Sequence, residues 1–257
     1  MTTTSTQASP EAKIAFGIDI GGSGIKGAPV DLSTGELARP RIKIKTPRPA
    51  TPQAVVDVIG QVIAGFDLAP DTPIGVAYPG VVFGGVTATA ANLDESFVGA
   101  DLVKLVHRAT GRRIHLANDA DAAGYAEVRY GAAKGVDGAV LVMTLGTGIG
   151  SALIFAGNLV PNTELGHLEI DGHDAEKRAA SSAKEREDLS WRAWAARLQR
   201  YFSVVDDLVH PDLFVVGGGV SREHEKFLPL LKLRPPIIPA KLRNTAGIVG
   251  VAALAAR

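Results

Sequence analysis

The chain has 257 residues, 46% of them hydrophobic, enough to bury a sizeable core in one large domain or two modest ones. Lys plus Arg and Asp plus Glu each count 27, so the net charge is zero and nothing global attracts nucleic acid or a membrane. With no cysteine, disulfides and thiolate metal sites are excluded. Residues 1–12 are rich in Thr, Ser, Gln and Ala, lack the apolar core of a signal peptide, and are expected to form a disordered tail. No stretch approaches the length of a membrane span, so a cytoplasmic location is the default expectation.

The segment Phe16-Gly-Ile-Asp-Ile-Gly-Gly-Ser-Gly-Ile-Lys-Gly-Ala28 reads as a strand, a tight glycine turn and a returning strand, with Asp19 at the mouth. Glycines without Cβ let backbone N–H groups approach an anion. A carboxylate beside them repels phosphate unless a divalent cation intervenes, so the stretch suggests a metal–phosphate grip with Mg²⁺. Gly22-Ser-Gly24-Ile-Lys-Gly27 also fits a dinucleotide fingerprint, but that needs a following helix, and Pro29 argues against one.

Further along, the alternation of Arg41-Ile-Lys-Ile-Lys45 predicts a third strand, isoleucines inward and cations outward. Thr51-Pro52 caps a helix whose apolar face carries Val55, Val56, Ile59, Val62, Ile63 and Phe66. Residues 73–78 read as a buried strand, 101–110 as a helix closed by Gly111, 113–117 as a strand delivering Asn118 and Asp119, and 120–130 as a small-residue helix. Glycines and charges over 131–138 mark a domain boundary, giving domains at 13–134 and 135–257.

The second half repeats the design. In Leu141-Val-Met-Thr-Leu-Gly-Thr-Gly-Ile-Gly-Ser-Ala-Leu-Ile154, Thr144-Leu-Gly146 stands where Asp19-Ile-Gly21 stood. Residues 161–167 form a polar loop, 174–187 a charged helix, 191–209 a long amphipathic helix stopped by Pro211, 213–216 a strand before Gly217, Gly218 and Gly219, and 245–256 an apolar helix. The fold class is α/β, two related domains with a ligand cleft between them. From residue type alone, Asp119 is either a general base or a helix N-cap, Asn118 offers a donor and an acceptor to hydroxyls, and Asn92 does the same or is a turn asparagine.

Five ordered motifs resemble a known family. Asp19-Ile-Gly-Gly-Ser23, Thr144-Leu-Gly-Thr-Gly148 and Gly217-Gly-Gly219 resemble the two phosphate motifs and the nucleoside motif of actin-like (ribonuclease H-like) sugar kinases. Asn118-Asp119-Ala-Asp-Ala-Ala123 and Glu164-Leu-Gly-His167 narrow this to the bacterial family of repressors, open reading frames and sugar kinases. That family usually carries a cysteine-rich zinc motif after Gly-His, and this chain has none. In this the chain looks like the polyphosphate glucokinase and polyphosphate/ATP glucomannokinase branch, to which Pro161-Asn-Thr-Glu-Leu-Gly-His-Leu-Glu169 and Leu242-Arg-Asn-Thr-Ala-Gly-Ile-Val-Gly250 are similar.

The resemblance implies phosphoryl transfer from inorganic polyphosphate, with ATP as a second donor, to the 6-hydroxyl of glucose and of mannose. An ATP-only glucokinase, mannokinase or fructokinase is the alternative. Only about a dozen residues precede the core, too few for the helix-turn-helix of a repressor. The resemblance makes Asp119 the general base. It places Asn92, Asn118, Asp119, Glu164, His167 and Glu176 on the sugar, with Glu169 competing with Glu176. Asp19, Gly21, Gly22, Ser23, Gly24, Lys26, Thr144, Gly146, Thr147 and Gly148 fall on phosphate, Gly217, Gly218 and Gly219 on a nucleoside, and Asp19 on Mg²⁺. A homodimer is left open, with no nucleic acid or membrane partner. Lys184, Arg186, Lys241 and Arg243 are expected to guide polyphosphate. The Arg39, Arg41, Lys43, Lys45 and Arg48 cluster reads as a protected edge strand.

Overall fold

The computed structural model describes residues 13–257; the tail expected over residues 1–12 lies outside them. The opening hairpin forms where the glycines predict it. Strands β1 (Ile14–Gly21) and β2 (Gly24–Asp31) pair antiparallel, with Gly21 opposite Gly24 and Asp19 opposite Lys26. β3 (Glu36–Leu37) and β4 (Ile42–Ile44) both pair with β2. Helix α1 (Pro52–Ala64) begins where the Thr51 hydroxyl accepts from Ala54 N, with Pro52 in the first turn. Its Val55, Val56, Ile59 and Val62 are fully buried. There follow β5 (Ile74–Tyr78), a short hairpin of β6 (Val82–Phe83) and β7 (Val86–Thr87), α2 (Leu102–Thr110), β8 (His115–Asn118) and α3 (Asp119–Arg129). Gly111, at φ 71°, ends α2 as its position predicts.

The second half is built from β9 (Ala139–Leu145), β10 (Ile149–Phe155), β11 (Asn158–Val160), β12 (Glu169–Ile170), β13 (His173–Asp174), α4 (Ala175–Ala179), α5 (Ser181–Arg186), α6 (Trp191–Val209), β14 (Leu213–Gly217), β15 (Ile237–Pro239) and α7 (Ala246–Ala255). The two main sheets share one plan. The first runs β3-β2-β1-β5-β8 and the second β11-β10-β9-β14-β15, each with an antiparallel hairpin and then two parallel strands. Asp19 is paired with Lys26 across its hairpin, and Thr144 with Gly150 across the other. The repeat read from glycine spacing is thus a repeat of topology.

Helices α1 and α2 cover one side of the first sheet, while α4 and α6 cover one side of the second. Between the sheets lie α3, packed on β9 and β10, and α7, packed on β1 and β5. Here the chain departs from a division by sequence order. α7 belongs by contact to the first sheet, although it closes a segment otherwise built around the second. Glycines make that return possible: a Cβ on Gly17 would stand 2.0 Å from the Ile248 carbonyl oxygen, and one on Gly75 would stand 2.1 Å from that of Val251. The parallel strands β1, β5, β8, β9 and β14 direct their carboxyl ends to the space between the halves, where α/β sheets place ligands. Among the described residues no helix is long and apolar enough to cross a membrane.

Candidate active site

A cleft of about 550 Å³ opens at those strand ends. Asn92, Asn118, Asp119, Glu164, His167 and Glu176 all line it, with Gly21 and Gly22 of the first hairpin and Thr144, Gly146, Thr147 and Gly148 of the second. An adjoining cavity of about 220 Å³ is lined by Asp19, Lys26, Asp119, Gly217, Gly218 and the first residues of α7. Asp119 faces both. Ser23 and Gly24, at the tip of the first hairpin, and Gly219, past the end of β14, line neither. Gly218 sits at φ 84°, and a Cβ there would meet the Leu145 carbonyl at 2.2 Å, so this turn requires glycine.

Asp119 is placed by its neighbour. The α3 cap is Asn118, whose Oδ1 accepts from Asp121 N at 3.0 Å while its Nδ2 donates to the Gly80 carbonyl at 3.1 Å. Asp119 therefore stands in the first turn with its carboxylate released from capping. Asn118 keeps one donor and one acceptor for a ligand. Burial, reinforced by Asp19, Glu164 and Asp121, pushes the Asp119 carboxyl up to about 7. Asp121 is also raised to about 7, chiefly by burial; its Oδ2 accepts from Asn162 N at 2.8 Å and its Oδ1 has no partner.

The loop expected over 161–167 contains a short 3-10 turn, Leu165–His167. Both halves pin it. Ser151 Oγ donates to the Thr163 carbonyl at 2.6 Å and accepts from Leu165 N at 3.0 Å. The Asn162 amide pairs with both backbone groups of Val82 across the cleft, at 3.1 and 2.9 Å. Glu164 makes no capping bond and is raised by burial, leaving its carboxyl free for a ligand.

The helix expected over 174–187 is two helices. Ala180, extended at φ −60° and ψ 158°, ends α4 and starts α5. The break turns Ser181 and Ser182 onto the second hairpin. Ser181 Oγ and Ser182 N donate to the Gly146 carbonyl at 2.9 and 3.1 Å, and Ser182 Oγ donates to that of Thr147 at 2.6 Å. Glu176, one turn earlier, accepts from Ile149 N through Oε2 at 3.1 Å, and a Cβ on Gly148 would fall 2.3 Å from that oxygen. Glu176 therefore joins the loop of Glu164 and His167 to the hairpin, whereas Glu169 is exposed and outside the cleft.

Sequence reading missed Asp174. Its Oδ1 accepts from Glu176 N at 3.1 Å and its Oδ2 lies 3.2 Å from His167 Nδ1, raising the imidazole's affinity for a proton. A helix-capping Asp before α4 was the available signal. His167, Asp174 and Glu176 bring ligand atoms within 4.8 Å of one another, and hydrogen bonds already hold the group together.

A pH prediction arises here. Asp119 must be ionised to accept a proton, so turnover should rise through about pH 7. Asp119 and Asp121 bind protons more tightly folded than unfolded, so their stabilising contribution is complete below about pH 4 and is lost as pH climbs through about 7. Rate and melting temperature, measured from pH about 5.5 to 8.5, should move in opposite directions. A flat rate profile would remove Asp119 as the titrating base.

Comparison with known proteins gives concordant results. The ROK family model matches residues 15–181. The polyphosphate glucokinase of Mycobacterium tuberculosis is 51% identical over 97% of this chain and 94% of its own length. The inorganic polyphosphate/ATP-glucomannokinase of Arthrobacter sp. strain KM superposes with a TM-score of 0.88 at 53% identity, covering 95% of this chain and 98% of that one. A ROK family glucokinase from Streptomyces griseus, solved with glucose and AMPPNP, gives 0.79 at 26% identity over 95% and 99%.

Proposed function

The chain belongs to the ROK family, with its two-domain actin-like (ribonuclease H-like) fold, and from that premise we propose that it transfers the terminal phosphoryl group of inorganic polyphosphate to the 6-hydroxyl of glucose. ATP serves as a second donor and mannose as a second sugar. One observation carries the reading: Asp119, uncapped and raised toward neutrality, stands between two glycine hairpins and a ring of sugar-sized polar groups.

In this mechanism Asn92, Asn118, Glu164, His167 and Glu176 hold the sugar by its hydroxyls. Asp174 fixes the His167 ring and the start of α4, so that the imidazole and Glu176 meet the sugar in one geometry. Asp119 accepts the 6-hydroxyl proton as the oxygen attacks phosphorus; the new O–P bond forms as the bridging P–O bond to the donor breaks, and the polyphosphate shortened by one unit, or ADP, leaves. Backbone N–H groups at the cleft-lining ends of the two turns, Gly22 of the first and Thr147 and Gly148 of the second, meet the charge on the transferring group, and Ser181 and Ser182 keep the second turn from yielding. Lys26, 3.2 Å from Asp19 Oδ2, compensates that carboxylate. The donor set suits a hard cation: Asp19 offers a second oxygen in the cavity shared with Asp119, and would hold Mg²⁺ through water. When bound, Mg²⁺ offsets negative charge on the donor's terminal phosphates.

The test is a matrix of glucose, mannose and fructose against polyphosphate and ATP, with sugar phosphate detected directly. Glucose 6-phosphate should form from polyphosphate in nucleotide-free solution. Product from ATP alone would replace this reading with an ATP-only kinase.

A further inference from the structure

The mechanism leaves one charged surface unused. Arg41, Lys43 and Arg48, on and around β4, and Arg243, before α7, are exposed and gather beside the first hairpin. Arg48 Nη2 donates to the Gly22 carbonyl at 3.3 Å. Lys43 stands opposite Lys26 in the β2–β4 register, and its Cε lies where a Cβ on Gly24 would approach to 2.6 Å. Arg41 Nη1 donates to the Asn244 carbonyl at 3.1 Å, next to Arg243, which lines the cavity of Asp19, Lys26 and Asp119. Arg243 sits at φ 51°, a left-handed conformation costly for a non-glycine residue and one that recurs at ligand contacts.

None of these four cations has a carboxylate partner among the described residues. The acids nearby are occupied: Asp19 by Lys26, and Glu127 by the backbone N–H groups of Ala132, Lys241 and Leu242. Of the four residues favoured on sequence grounds, Arg243 joins this surface, whereas Lys184 and Arg186 are engaged elsewhere. Lys184 Nζ rests 4.3 Å from the centre of the Trp191 ring, and Arg186 is engaged by Glu187 and the Lys177 carbonyl. Alternate residues of a strand project from one face at intervals of roughly 6.6 Å, so Arg41 and Lys43 form a row leading away from the hairpin.

We infer that the distal phosphates of inorganic polyphosphate lie along this row, held by Arg48, Lys43, Arg41 and Arg243, while the terminal phosphates occupy the hairpins. The inference rests on the proposed donor. ATP ends in a nucleoside beyond its third phosphate and has nothing for the row to hold. Polyphosphate continues as repeated anions, each able to displace counterions from a guanidinium or ammonium group.

The experiment compares wild type with the triple variant Arg41→Gln, Lys43→Gln, Arg48→Gln, using long-chain polyphosphate and ATP at a fixed glucose concentration over a salt series. For polyphosphate the variant's KM should rise roughly ten- to thirty-fold and its salt dependence should flatten, by analogy with phosphate contacts in nucleic-acid binders. The KM for ATP should stay within about twofold, on the argument that ATP lacks distal phosphates. The single variant Lys43→Gln guards against a folding defect in the triple, and should show the same donor bias in smaller degree. Lys184→Gln with Arg186→Gln should leave both KM values unchanged. An unchanged polyphosphate KM in the triple variant, or an equal rise for both donors, overturns the row. Wild type that makes no sugar phosphate from polyphosphate overturns the donor assignment itself, a failure distinguishable from the other two.

Discussion

An Asp119→Asn variant should fold, bind glucose and turn over about 10²- to 10⁴-fold more slowly, the usual cost of removing a positioned general base. Asparagine keeps the size and planar shape of the carboxylate, and the α3 cap is made by Asn118, so the helix start should survive. The substitution also removes a carboxyl whose ionisation is resisted by burial, Asp19, Glu164 and Asp121. Above pH 7 the variant should therefore melt no lower than wild type, and higher as pH rises. Slower turnover with unchanged glucose affinity separates a base from a sugar ligand. A folded variant with near-normal turnover would place the proton acceptor elsewhere.

Gly250→Ala should lower stability by about 3 kcal/mol, toward the upper end for overpacking, because the new methyl group meets backbone that cannot rotate away. A Cβ at Gly250 would lie 1.7 Å from the Ala122 carbonyl oxygen, where α7 crosses α3 between the two sheets. For a chain of this size that corresponds to a drop of roughly 6–12 °C in melting temperature. Gly60→Ala is the control. Gly60 lies inside α1, and its added Cβ would come no closer than 3.5 Å, to Thr110 Cγ2. There alanine should be neutral or stabilising by about 0.5–1 kcal/mol, since glycine carries the larger entropic cost in a helix. Equal melting of the two variants would contradict the close α3–α7 approach.

Much of the site was legible because its signals are local. Glycines crowded between apolar runs admit little besides a strand–turn–strand, and two such stretches gave both hairpins with the carboxyl ends of their strands. The order of cap and base at Asn118 and Asp119 was not legible, because either residue type can cap a helix and only the bond from Asp121 N to Asn118 Oδ1, with the amide also held by Gly80, decides between them. The break at Ala180 was hidden for a different reason. Alanine is the best helix former, and the kink is imposed by hydrogen bonds from Ser181 and Ser182 to a hairpin distant in sequence. The basic strand β4 is an edge strand, as its alternation suggested, pairing with β2 alone, but its pattern says nothing about what lies beside it. Its pairing to β2, next to the hairpin tip, supplies that. The return of α7 to the first sheet is likewise a long-range contact, and an all-apolar helix gives no hint of which sheet it will cover. Strands of two or three residues, such as β6, β7, β12 and β13, are too short to carry a period.

The most direct test of the account is a crystal structure with glucose and a non-transferring ATP analogue bound together. The glucose 6-hydroxyl should lie about 2.6–3.2 Å from an Asp119 oxygen, with the terminal phosphoryl group held between the Gly21–Gly24 and Gly146–Gly148 turns. A sugar whose 6-hydroxyl points away from Asp119, or a donor seated outside the two hairpins, would contradict it.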